Sequence, residues 1–204
     1  SNPTVLSIHQ EAGEEYIWIG TDGGGINRFD PSTYEFTHYT STKKAKVVSI
    51  APYSKDELAI SIHADRIWLF NKNTGTLRAL DIKDEEVNYK IAYSGTNINL
   101  HREPSGSMLL ISSMVRRLNT NTLTCSKIAI SDGKKSQGNI SIIGQTTQGL
   151  WMHDNSRIYL LADGESQMHR ITTCDNNKIN SGHIGPDGIM WLATSNGLYK
   201  YDRI

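Results

Sequence analysis

Asp22 precedes three glycines in "TDGGG" (Thr21 to Gly25). Such a loop can cradle a phosphate with its backbone amides, provided a helix starts directly after it. Here "INRFD" follows, a β-branched and aromatic run, so the glycines read as a hairpin turn that needs positive φ. Asp65, Asp154, Asn155 and Asn196 fall in or near matching turns further along, and Arg66 and Arg157 follow closely in two of them. Side chains of these types either cap the turn by bonding local backbone or form the polar fringe of a ligand mouth.

A second group lies in "DIKDEEVNYKIAYSGTN" (Asp81 to Asn97). Tyr89 and Tyr93 have the shape to stack on a sugar ring, with Asp84, Glu85 and Glu86 accepting from its hydroxyls, since carbohydrate sites combine an apolar platform with a few fixed polar groups. A solvated surface loop accounts for the same residues. Arg116 and Arg117 present paired guanidiniums suited to a sulfate or a uronate, or are simply solvated. His9, His101 and His183 occupy equivalent places, but Ala51 and Ile143 stand at the matching positions, which breaks a ring of imidazoles. A metal needs a closed set of three or four ligands, so packing between repeats is the expected role and no metal or cofactor is expected. Paired acids in a cleft, GxSxG, HExxH and a Cys/His couple are all missing. "HREPSG" and "HDNS" offer polar residues without a placed partner, so no catalytic residue is assigned.

The elements that would carry these residues repeat. Trp18, Ala59, Leu110, Trp151 and Trp191 stand at corresponding places, spaced by 41, 51, 41 and 40 residues. A second column is tighter: "FDPSTYEF", "FNKNTGTL", "LNTNTLTC" and "LADGESQM" each place two apolar residues seven positions apart, with turn formers between them. Each unit reads as short strands, in the first as Val5 to His9, Tyr16 to Thr21, Ile26 to Asp30 and Glu35 to Thr40. Four antiparallel strands per repeat of about 40 residues indicate a β-propeller blade. The expected fold is all-β, a partial β-propeller of about five four-stranded blades over 4–42, 46–83, 96–131, 138–174 and 178–204, the last one incomplete. Ile17, Ile19, Ile60, Ile62, Leu192 and the tryptophan column are expected to form the core between blades.

The 204 residues carry 21 basic and 21 acidic side chains. That balance gives no pull towards nucleic acid or an anionic membrane, and no apolar run approaches the roughly 20 residues that span a bilayer. Cys125 and Cys174 are too few for a disulfide framework. Because the fifth unit ends after its third strand, the chain reads as a piece of a larger propeller whose raw sheet edge invites pairing with another copy.

"WIGTDGGGINRFDPSTYEFTHY" resembles the two-component regulator propeller repeat, and "DGIMWLATSNGLYKYD" (Asp187 to Asp202) resembles it with Gly197 at the third glycine position. The resemblance implies the periplasmic sensor region of a Bacteroidetes hybrid two-component regulator. It further implies an oligosaccharide ligand, the remainder of the ectodomain as a partner, and control of polysaccharide-utilisation genes by a histidine kinase whose motifs are not in this chain. A lyase-type propeller enzyme, suggested by the "DG.MW" style of blade, and a structural scaffold for protein binding are the alternatives.

Overall fold

β-Branched and aromatic runs separated by turn formers have one inexpensive way to satisfy their backbone, which is pairing with the next run along the chain. The computed structural model describes residues 4–88, 97–174 and 177–202, and within them the chain does this throughout. The first sheet is β1 (Val5–His9), β2 (Ile17–Thr21), β3 (Gly25–Asp30) and β4 (Glu35–His38). The second is β5 (Val47–Pro52), β6 (Glu57–Ile62), β7 (Ile67–Asn71) and β8 (Leu77–Ala79). The third is β9 (Asn99–Arg102), β10 (Met108–Ile111), β11 (Val115–Asn119) and β12 (Thr124–Ile130). The fourth is β13 (Ser141–Thr146), β14 (Gly149–His153), β15 (Arg157–Leu161) and β16 (Gln167–Thr173). The fifth has three strands, β17 (Ile179–Ile184), β18 (Met190–Thr194) and β19 (Gly197–Tyr201). Within each blade the strand order follows the chain. The chain is a partial β-propeller built from all-β blades.

The seven-residue interval has a local cause. Asp30 Oδ1 accepts from the amides of Ser32 and Thr33, Asn71 Oδ1 from those of Asn73 and Thr74, and Asn119 Oδ1 from those of Asn121 and Thr122. In each case the carboxylate or amide side chain builds the β3–β4 type of turn from inside. Tyr34, Gly75 and Leu123 then take φ of 60°, 70° and 60° to return the chain. The fourth copy has Ala162 in place of the side-chain acceptor, and there the amide of Glu165 bonds the Ala162 carbonyl instead.

The chain divides into two compact units, one comprising 1–102, 106–110 and 118–125, the other 103–105, 111–117 and 126–204. In the first unit Trp18 is 2% exposed and packs with Ile26, Val47, Ile50, Leu58, Ile60 and Phe70, so the first two blades meet face to face. Phe70 meets the Trp18 ring edge-on at 5.6 Å. In the next cluster Ala59 holds the tryptophan position, and Ile82 and Val87 of the inserted segment join it, with Leu80 just before them. This corrects the reading of that segment as wholly solvated: it supplies apolar volume where the tryptophan is missing. In the second unit Trp151 is 1% exposed among Ile143, Ile158, Ile179, Met190 and Leu192. The outer strands β12 and β16 also pair in parallel, Ala129 with Gln167 and Ile130 with Met168.

One alignment made from sequence is corrected by register. His9 faces Trp18 and His183 faces Trp191, but Trp151 faces Gly144, not Ile143. A bulge between Ile142 and Gly144 absorbs Ile143, whereas in β1 and β17 the bulge lies nearer the strand start.

Candidate functional site

The β2–β3 type of turn lies at one end of each blade. In the first unit, Gly23 and Gly25 have φ of 84° and 70° and both donate amides to the Ala45 carbonyl, at 3.1 and 3.2 Å. A methyl on Gly25 would lie 2.8 Å from the carbonyl carbon of Thr42. The glycines are therefore a turn pressed against the segment that links blades one and two. Asp22 sits beside them, 3.2 Å from Lys46 Nζ, with both side chains well exposed.

The equivalent turn of blade two is richer. Asp65 is engaged at both oxygens, Oδ1 accepting from the Arg66 amide at 2.7 Å and Oδ2 from Trp68 Nε1 at 3.1 Å. It shapes the turn and leaves Arg66 projecting from it. Arg66, Leu80, Asp81 and Asn88 line a cavity of about 100 Å³. Asp84 supports it from behind: its Oδ1 accepts the Val87 amide at 3.0 Å, and Asn88 donates to the Ile82 carbonyl at 2.7 Å. Beside it, His63 Nδ1 and Asn97 Oδ1 are 2.8 Å apart, a pair that sequence reasoning missed because 34 residues separate its members. The cavity thus offers a guanidinium, a carboxylate and a carboxamide at one mouth, which suits a hydroxyl-rich ligand. Tyr89 and Tyr93 lie outside the described residues.

The second unit's candidates have another role. Asp154 is buried, accepting from the amides of Gln137, Ser156 and Arg157 and from the Tyr159 hydroxyl at 2.7 Å. Burial alone would raise its pKa; these donors outweigh that and hold it below the ordinary carboxyl value. Tyr159, buried and bonded to that carboxylate, is pushed up to about 12. Asn155 Nδ2 donates to the Gln137 carbonyl and Arg157 Nη1 to the Lys135 carbonyl. These three residues fasten the 135–138 segment to the turn. Asn196 is exposed, its amide bonded to Thr194 Oγ1 at 3.2 Å.

Arg117 is not an anion clamp. Its guanidinium makes a two-point bond to the buried Glu103 at 2.6 and 2.7 Å, and donates to the Glu165 carbonyl at 2.6 Å. Each of its three nitrogens bonds the protein, a pairing invisible from a doublet of adjacent arginines. His153 and Asp154 do not form a base–acid couple either, because His153 Nδ1 meets the backbone oxygen of Asp154 at 2.8 Å while the carboxylate faces Tyr159. Among the described residues no three His, Cys, Asp or Glu side chains converge as metal ligands. No helix among them is long and apolar enough to cross a membrane.

No family model and no curated protein sequence matches the chain. Solved structures do. The extracellular domain of the hybrid two-component system BT4673 from B. thetaiotaomicron is similar over 98% of this chain and 26% of its own length, with a TM-score of 0.73 at 17% identity. The extracellular domain of BT3049 from the same organism is similar over 96% of this chain and 26% of its own, with a TM-score of 0.69 at 16% identity. Regucalcin from Agrobacterium tumefaciens, a calcium-binding protein, is similar over 99% of this chain and 72% of its own, with a TM-score of 0.67 at 12% identity. This chain thus spans about a quarter of the length of the two ectodomains.

Proposed function

We propose that this chain is a ligand-sensing segment of the periplasmic region of a hybrid two-component regulator, and that its ligand is an oligosaccharide. The observation that carries the reading is the likeness of nearly the whole chain to two such extracellular domains, in a sequence whose glycine turns resemble the two-component regulator propeller. In this reading the chain performs no catalysis; the kinase is elsewhere in the parent protein. The sugar is held at the β2–β3 turn end of the first unit, with Arg66 and Asp81 bonding hydroxyls and Asp22 and Asp65 contributing turns and fringe; in the second unit Asp154, Asn155, Arg157 and Asn196 shape turns of their own. Binding favours one arrangement of the ectodomain over another, and that differential affinity biases the kinase dimer across the membrane. The partners are the remainder of the ectodomain and further copies met through open sheet edges.

Thermal unfolding of the intact ectodomain against a panel of polysaccharide-derived oligosaccharides tests this. One sugar class should raise the melting temperature, as expected for a ligand that stabilises by about 2.7 kcal/mol at a hundredfold excess over Kd, and Arg66→Ala should reduce the shift. Silence across the panel, with capture of a protein partner, would favour the scaffold reading.

A further inference from the structure

The opposite end of the same strands carries a second groove, of about 350 Å³, within the first unit. It lies among the β1–β2, β5–β6 and β7–β8 turns, so it shares no residue with the Arg66 cavity. Trp18 pairs with Arg28 across β2 and β3, and Tyr16, two positions before Trp18, projects to the same side. The Arg28 guanidinium carbon stands 4.2 Å from the centre of the Tyr16 ring. That stacking fixes the plane of the fork.

The other groups in the groove are mostly engaged. Lys72 Nζ lies 2.5 Å from Glu14 Oε1 and 3.1 Å from Glu11 Oε1. Burial would lower the pKa of Lys72, but its bonds to Glu14 and Glu11 outweigh that, so the ammonium stays charged and latches the two blades. Trp18 Nε1 donates to Glu14 Oε2 at 3.4 Å, and Asn73 Nδ2 to Asp56 Oδ1 at 3.0 Å. Among the described residues, Arg28 has no hydrogen-bond acceptor. It is half-buried; Lys55 and Glu15 stand exposed at the rim.

A half-buried guanidinium with unused donors and a plane fixed by stacking is matched best by a planar two-oxygen anion. The Asp56–Asn73 pair bonds itself through one oxygen and one N–H group, leaving Asp56 Oδ2 and Asn73 Oδ1 to accept from hydroxyls. We infer that this groove binds a sugar acid, its carboxylate on Arg28 and its ring hydroxyls on Asp56 and Asn73. The inference goes beyond the proposed sensor site and stands or falls apart from it, because the two lie at opposite strand ends.

Glucuronate, glucose and acetate, titrated separately into the ¹⁵N-labelled chain, test it by amide shifts. Glucuronate should give saturable shifts around Tyr16, Arg28 and Asn73. Glucose, which lacks the carboxylate, and acetate, which lacks the ring, should each bind at least about tenfold more weakly. Arg28→Gln should weaken glucuronate binding about tenfold. Arg28→Lys keeps the charge without the fork, so it should bind between the two and give a folded comparison if the glutamine variant loses dispersion. The inference is overturned if glucuronate gives no saturable shifts, if acetate or glucose matches it, or if both variants bind like the parent. Shifts confined to Arg66 and its neighbours would also overturn it, while supporting the sensor site.

Discussion

His153 shows how a single polar residue reports on the fold. It is 4% exposed, its Nδ1 is satisfied by a backbone oxygen, and its Nε2 is buried without a partner among the described residues. Burial holds its pKa below 6.5, outweighing the opposite influence of Asp154. The unfolded chain therefore binds a proton at a higher pH than the folded one. Stability from this group is complete above about 6.5 and is lost as the pH falls towards the lower folded value. His9 shifts in the same direction, again through burial. Denaturant unfolding measured between pH 7 and pH 5 should show stability falling by up to about 1.4 kcal/mol per pH unit for each histidine. His153→Gln should remove roughly half of that slope, and an unchanged slope would contradict the assignment. Asp65 and Asp154 make the related point that turn acids point inward: their oxygens are consumed by local donors, and the ligand-facing role passes to neighbours such as Arg66.

At the scale of elements, the tryptophan column is an internal control. Trp18, opposite His9 of the inner strand, and Trp151, opposite Gly144, are 2% and 1% exposed, each covered by the blade that follows. Trp191 pairs with a histidine of the inner strand as Trp18 does, yet is 38% exposed. It therefore departs from the expected core, because a sheet face buries apolar surface only where a neighbour lies against it. Trp18→Ala should cost about 3–5 kcal/mol in unfolding free energy, and Trp191→Ala well under half of that. Equal losses would mean that Trp191 is covered in solution. Ile17 and Ile19 are likewise only half-buried; neighbours along the strand point to opposite faces, and Trp18 took the covered one.

For the whole molecule, both terminal sheets present apolar side chains to solvent. Ile8 and Phe36 are exposed on the first, Trp191, Leu198 and Tyr199 on the last. Among the described residues, strand β19 also stands at the edge of its sheet. Edges and apolar faces of this kind are the surfaces that the proposed association with further copies would use. Sedimentation velocity should show the mean mass rising with concentration, and the double substitution Phe36→Ser with Trp191→Ser should suppress the rise if faces, rather than edges, carry the association. A single monomeric boundary at every concentration would oppose both routes.

The sequence by itself determined the blade. Period, turn chemistry and strand content are local properties: Asp30, Asn71 and Asn119 build their turns within four residues, and the glycines of "TDGGG" declare positive φ without help from afar. Register and partnership were decided in three dimensions. Ile143 could not be told from Gly144 until a bulge was seen, Arg117 looked solvated until Glu103 met it, and His63 found Asn97 across 34 residues. The Arg28–Tyr16 stack was equally hidden, because hairpin pairing brings together residues that no spacing rule singles out. Burial and charge pairing depend on which surfaces meet, and a chain read residue by residue contains the surfaces but not their meeting.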